Sequence, residues 1–158
     1  MWGKVMDYFE ITLVVFMTVL SIFDIGTRKL PVILLKAGAV LAVFRLAYIL
    51  SMNGPPSEQQ RILTVALLGA LPGAAMTAVS FITDKVGRGD GVVLIILGLF
   101  ENCSFVTLVS CMACLGLAVF SGILLVLHRV GRNTRMPFVP FLTGAYLVMF
   151  ISMRRYGY

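Results

Sequence analysis

Two aspartates stand at the ends of apolar segments, Asp24 in FDIGTRKLP and Asp90 in GRGDG. A carboxylate beside a hydrocarbon phase is costly enough to need a physical reason. The segments carrying these two acids are expected to place both at the same membrane face. Two like charges close together in a low dielectric do not both ionise comfortably, so such a pair shares a proton. One carboxylate then takes a proton from water while the other gives one to a carbonyl oxygen. This is the acid–base chemistry of aspartic hydrolysis, and it calls for no metal and no cofactor. The competing readings are a helix cap or a loop-arginine partner for each acid, or proton or ion transport. Asp90 at a helix N-terminus is favourable on its own. Asp24 at a helix C-terminus has no such benefit, which makes it the more informative of the two.

Gly87 and Gly89 bracket Arg88 directly before Asp90. Glycines there are expected to allow a tight turn and let an extended peptide pass close to the carboxylate. A phosphate-binding loop does not fit, because no Lys-Ser/Thr follows and no strand precedes. Asp84, in the same loop, reads as a solvated acid or a partner of Lys85 or Arg88. His128, beside Arg129, reads as a headgroup-level residue. Cys111 and Cys114 lie one helical turn apart without other soft ligands, and read as small apolar packing residues.

The elements that must position these groups follow from composition. Of 158 residues, 59% are hydrophobic and only 13% charged, with a mean hydropathy of +0.99. That is too little polar surface for a soluble domain, and the near-continuous apolar runs point to an all-α, polytopic membrane helix bundle of about six transmembrane helices. Residues 1–158 read as a single membrane-embedded domain. The first apolar run lacks a small-residue cleavage site and reads as a retained span. The net charge of +6 lies mainly in short loops, which argues against nucleic acid and for membrane lipid as the partner.

Spans are expected over residues 8–27, 32–52 and 62–83, with 53–61 (NGPPSEQQR) as a turn and Pro72 bending the third span. The apolar stretch 91–130 is too long for one crossing and is split near Glu101–Ser104. Its first part either extends past Ser104 or enters only part-way. Residues 142–153 form the core of a sixth span. Gly69 and Gly73 make a small-xxx-small face suited to close helix packing. Arg45, inside the second span, must snorkel or meet a polar partner in the bundle. Arg28, Lys29, Lys36, Lys85, Arg88, Arg129, Arg132 and Arg135 fall on one side, against Lys4, Arg61, Arg154 and Arg155 on the other. The positive-inside bias places both aspartate loops in the cytoplasm and both termini outside.

The order Asp24, Leu30-Pro31, Gly87-x-Gly89-Asp90 and Pro137-Phe138-Val139-Pro140-Phe141-Leu142 resembles the type IV prepilin peptidases, over nearly the whole chain. The resemblance is to the short branch that serves Flp or tight-adherence pili. It implies an endopeptidase that removes a short basic leader from a prepilin at the cytoplasmic face of a prokaryotic membrane. Asp24 and Asp90 match the catalytic aspartates, Gly87 and Gly89 the glycines of the second motif, and Pro31 the first. Pro137, Phe138, Pro140 and Phe141 match an end motif expected to be a packing element close to the site. Val92, Val32 and Val139 depart from the family's common Lys, acid and Gly at those places, which bears on substrate preference. The eight cytoplasmic cations do not attract a basic leader, so recognition is expected to rest on the pilin's apolar helix. A signal-peptide-peptidase-like intramembrane protease, a small proton-coupled transporter and an inactive pilus-assembly protein stay open as alternatives.

Overall fold

The computed structural model describes residues 2–27, 30–52, 55–83, 87–127 and 137–156. Among these residues the chain is all-α, with six helices: α1 (Trp2–Thr27), α2 (Val32–Met52), α3 (Pro56–Thr83), α4 (Arg88–Phe100), α5 (Cys103–Val126) and α6 (Val139–Tyr156). Four stretches are long and apolar enough to cross a membrane: Tyr8–Thr27, Val32–Met52, Pro56–Ile82 and Cys103–Val126. Gly89–Phe100 and Val139–Met153 are shorter apolar stretches. The 13 residues of α4 rise roughly 20 Å, short of the ~30 Å of bilayer hydrocarbon.

The long apolar run divides where its polar residues stand. α4 stops at Phe100, and Glu101 turns extended (φ −121°, ψ 167°) while its N–H still bonds the Leu97 carbonyl. α5 then starts at Cys103. The fourth segment therefore ends before a full crossing rather than running past Ser104.

Three boundaries differ from the sequence reading. α1 begins at Trp2, six residues earlier than residue 8. α3 begins at Pro56, so most of the stretch read as a turn is helical. Proline is well placed as the first helical residue because its missing N–H would have no partner there. The Pro55 carbonyl accepts from the amides of Glu58 (3.1 Å) and Gln59 (3.3 Å), and Glu58 puts negative charge in the first turn, where the helix dipole favours it. α4 begins at Arg88 and takes Gly89 and Asp90 into its first turn, leaving only Gly87 outside.

The contacts group into two compact units, residues 1–30 with 109–158, and residues 31–108. In the first unit, α1 buries Leu13, Phe16, Met17, Leu20 and Asp24. Their spacing of three and four traces one face of a 3.6-residue helix. α6 answers with Val139, Leu142, Thr143 and Tyr146, all buried. The helices run antiparallel, since Asp24 meets Val139 and the earlier Met17 meets Thr143, whose hydroxyl donates to the Met17 carbonyl at 3.2 Å. α5 joins through the Phe120 and Phe141 rings, 5.5 Å apart and tilted by 52°.

In the second unit, α4 is the inner helix. Val93, Leu94, Ile96, Leu97 and Phe100 are all buried, and the apolar run from Gly91 to Phe100 suits burial on several sides. It packs against α2 and, along most of its length, against α3. That α3–α4 contact is backbone on backbone. A Cβ at Gly69 would fall against the Gly98 carbonyl and 2.6 Å from the Glu101 carbonyl oxygen, and one at Gly73 would fall 2.7 Å from the Leu94 carbonyl carbon. From the α4 side, a Cβ at Gly98 would lie 2.8 Å from the Ala70 amide nitrogen, and one at Gly91 the same distance from that of Thr77. The expected small-residue face on α3 is real, and α4 supplies its counterpart seven residues apart. Where hydrocarbon offers no hydrophobic drive, such close approach supplies the association energy.

Arg45 meets the polar partner its position demands. Its Nη1 donates to the Leu99 carbonyl at 3.3 Å, and its guanidinium carbon stands 5.0 Å from the centre of the Phe100 ring. Cys111 and Cys114, read as small apolar packing residues, are exposed on α5.

Overpacking a backbone contact costs about 1–3 kcal/mol. Gly98→Ala is therefore expected to lower the thermal unfolding midpoint in detergent or nanodiscs. Gly122→Ala, where a Cβ meets nothing within 4 Å, is expected to be neutral or to gain about 0.5–1 kcal/mol from a stiffer helix. Equal midpoints for the two variants would contradict the close-packed interface.

Candidate functional site

Asp24 continues the buried stripe of α1 into its last turns, and only 6% of its surface is exposed. Its Oδ2 accepts a hydrogen bond of 3.1 Å from the backbone amide of Val139, 115 residues away. Val139 opens α6, where the first amides of a helix have no partner within it. The end motif resolves each of them. Val139 donates to Asp24, Pro140 has no N–H, and the amides of Phe141 and Leu142 both reach the Phe138 carbonyl at 3.1 Å. The sequence reading gave Asp24 no helix-end benefit; in the structure it has one, from the N-terminus of another helix, whose partial positive charge complements a carboxylate.

The remaining residues of the motif lock this arrangement. Phe138 is buried at 5% exposure, and Phe141 packs on Phe120. A Cβ on Gly116 would stand 3.4 Å from the Phe141 ring. The group that reaches Asp24 from position 139 is a backbone amide, which valine supplies as well as glycine. The valine side chain is itself fully buried. Thr143, which the sequence reading passed over, is buried one turn further along α6 and bonds both Val139 and Met17 carbonyls. Its spacing of four from Val139 was the available signal.

Asp90 is the third residue of α4 and half-buried, with its amide bonded to the Gly87 carbonyl at 3.0 Å. Gly87 has ordinary extended geometry (φ −64°, ψ 122°), so the backbone does not demand glycine. A Cβ at position 87 would stand 2.6 Å from Asp90 Oδ2 and 3.2 Å from its Cγ, so that carboxylate would have to shift. The carboxylate lies back over the start of its own helix, and Gly87 makes room for it. The tight-turn role expected for Gly87 and Gly89 gives way to this one, because Gly89 is already helical. Pro31 stands just before α2, and its carbonyl accepts from the amides of Leu34 (3.0 Å) and Leu35 (3.2 Å).

Thus Asp24 and the segment Pro137, Phe138, Pro140 and Phe141 come together in one unit, while Pro31, Gly87, Gly89 and Asp90 belong to the other. Asp84, Lys85, His128 and Arg129 lie outside the described residues, as do Arg28, Lys29, Arg132 and Arg135.

Removing the Asp24 acceptor strands a buried amide. Asp24→Ala is expected to lower stability by about 1–2 kcal/mol, whereas Asp24→Asn keeps an acceptor oxygen and most of that stability. Denaturant or thermal unfolding of both variants in the same detergent checks this. Gly87→Val is expected to displace the Asp90 carboxylate, which amide chemical shifts at residues 87–90 would report.

Comparison with protein-family models, with curated proteins and with solved structures finds no match to this chain.

Proposed function

We propose that the chain is a membrane aspartic endopeptidase that removes the short basic leader of a type IV, Flp-like prepilin at the cytoplasmic face of a prokaryotic cell membrane, with Asp24 and Asp90 as the catalytic pair. The observation that carries this reading is the Asp24–Val139 hydrogen bond. It ties the first candidate acid to the segment that the resemblance marks as lying near the site. A second support is the fit between Gly87 and the Asp90 carboxylate, which gives the glycine of the second motif a reason to precede that acid. Two membrane-length helices, α2 and α3, separate the acids in the chain, and an even number of crossings returns a chain to the side it left.

In this reading the pair carries one proton. The ionised carboxylate takes a proton from water as the water oxygen adds to the scissile carbonyl carbon, and the protonated carboxyl gives its proton to the carbonyl oxygen. The resulting gem-diol collapses as the C–N bond breaks. The amine nitrogen receives the proton taken from water, a hydroxyl proton returns to the second carboxylate, and the pair is restored. The Val139 amide fixes one oxygen of Asp24, so a held carboxylate rather than a mobile one faces the peptide. The pilin's apolar helix lies against the bundle while its basic leader stays in the cytoplasm.

The same hydrogen bond favours a second reading, in which Asp24 is only the cap of α6. The two part company in Asp24→Asn. The test is cleavage of a purified Flp-type prepilin by the reconstituted protein, with the cut located by mass spectrometry. The proposal expects a single cut before the apolar helix, lost by at least about a hundredfold in Asp24→Asn and in Asp90→Asn while both variants stay folded. Undiminished cleavage in either variant would overturn the pair. A cut inside the apolar helix would favour a signal-peptide-peptidase-like protease.

A further inference from the structure

A threonine inside a helix commonly turns its hydroxyl back to the carbonyl four residues before it. Thr12, Thr18 and Thr64 do so, to Tyr8, Val14 and Gln60. Thr143 of α6 also does so, to Val139 at 2.9 Å. Its hydroxyl then reaches further, to the Met17 carbonyl of α1 at 3.2 Å. Thr143 and Met17 are both buried, so this crossing between helices lies in the interior of their unit.

The place of the crossing matters for Asp24. Met17 lies two turns before Asp24 on the same buried face of α1, and Thr143 lies one turn beyond Val139, whose amide donates to Asp24. Two ties therefore join α6 to α1. Val139 is held from both sides, its N–H by the Asp24 carboxylate and its C=O by the Thr143 hydroxyl. A single tie would let α6 pivot about it, and between membrane helices no hydrophobic drive opposes that movement. The second tie removes the pivot and aims the Val139 amide at one carboxylate oxygen.

We propose that Thr143 is a positioning residue for Asp24. Acting through the Val139 backbone, it fixes which carboxylate oxygen is held, and so the direction of the oxygen left to meet water. A reacting group misplaced by one ångström can lose about a hundredfold in rate. The hydroxyl is the part of Thr143 that carries this role. Both carbonyls it bonds lie within helices, where the amide four residues on also bonds them, so its removal strands no backbone group. The kinetic consequence rests on the peptidase reading; the effect on the Val139 amide does not.

Thr143→Val keeps the shape of the side chain and removes the hydroxyl, whereas Thr143→Ser keeps the hydroxyl. Thr18→Val, at an exposed threonine bonded within α1, is the control. Full-length proteins in nanodiscs are labelled on valine nitrogen, and the Val139 amide is identified by its loss on Val139→Ile. In Thr143→Val that amide proton is expected to move upfield and to exchange about tenfold faster. Thr143→Ser and Thr18→Val are expected to leave it in place. With an Flp-type prepilin, Thr143→Val is expected to lower kcat by about ten- to a hundredfold at unchanged KM, and Thr143→Ser to restore it. An unmoved Val139 amide in Thr143→Val would overturn the proposal, whether or not the chain cleaves prepilin. So would a wild-type kcat in Thr143→Val, or a kcat that Thr143→Ser lowers as much. A folded wild type that cuts no prepilin would sink the peptidase reading instead, and the amide would still decide whether Thr143 orients Asp24.

Discussion

In hydrocarbon, a backbone amide or carbonyl without a partner has no water to turn to. Long helices satisfy that constraint along their length and place their ends at the polar surfaces. The two short apolar helices here, α4 and α6, do not have that freedom. Each ends against an ionisable side chain from a neighbouring long helix, and the sign is right both times. Asp24 of α1 accepts the first amide of α6, and Arg45 of α2 donates to a carbonyl in the last turn of α4. A carboxylate at an N-terminus and a guanidinium at a C-terminus each oppose the partial charge of the helix end. The charges that look most costly in this chain are thus the ones its short helices require.

That constraint also makes Asp24 suitable for chemistry. A carboxylate has two oxygens and several lone pairs, so one amide can hold the group in place without exhausting it. Catalytic groups need such support to stay in register with a substrate bond. At Asp90 the arrangement is different but has the same result, with a carboxylate folded over the start of its own helix in the space left by Gly87. The α3–α4 backbone contact through Gly69, Gly73, Gly91 and Gly98 is what keeps that helix, and so that acid, in position.

The spans were legible because composition and length decide them: α2 follows its apolar run from end to end, and the break at Glu101 falls where charge interrupts hydrocarbon. The α3 face at Gly69 and Gly73 was legible from spacing alone. The start of α3 was not, because the string of Pro, Ser, Glu and Gln suits a turn and a helix N-terminus equally. Nor was the Asp24 partner, since a backbone amide 115 residues away leaves no mark in the local sequence. Gly87 was read as a tight-turn residue, and in the structure it lies against the carboxylate of a side chain three residues on. Cys111 and Cys114 lie on the exposed side of α5, which hydropathy alone does not tell from the inward side of a lipid-bathed helix.

The central claim is that Asp24 and Asp90 act as one pair, and their proximity in the presence of prepilin tests it most directly. With Cys103, Cys111 and Cys114 replaced by serine, Asp24→Cys with Asp90→Cys would be oxidised in membranes containing prepilin, beside Asp24→Cys with Glu101→Cys. Disulfide geometry demands Cβ atoms about 3.5–4.5 Å apart, and Glu101 lies at the far end of α4. The account expects a disulfide in the first variant and none in the second. Absence of the first disulfide while both thiols still react with maleimide, or equal yields from the two variants, would contradict it.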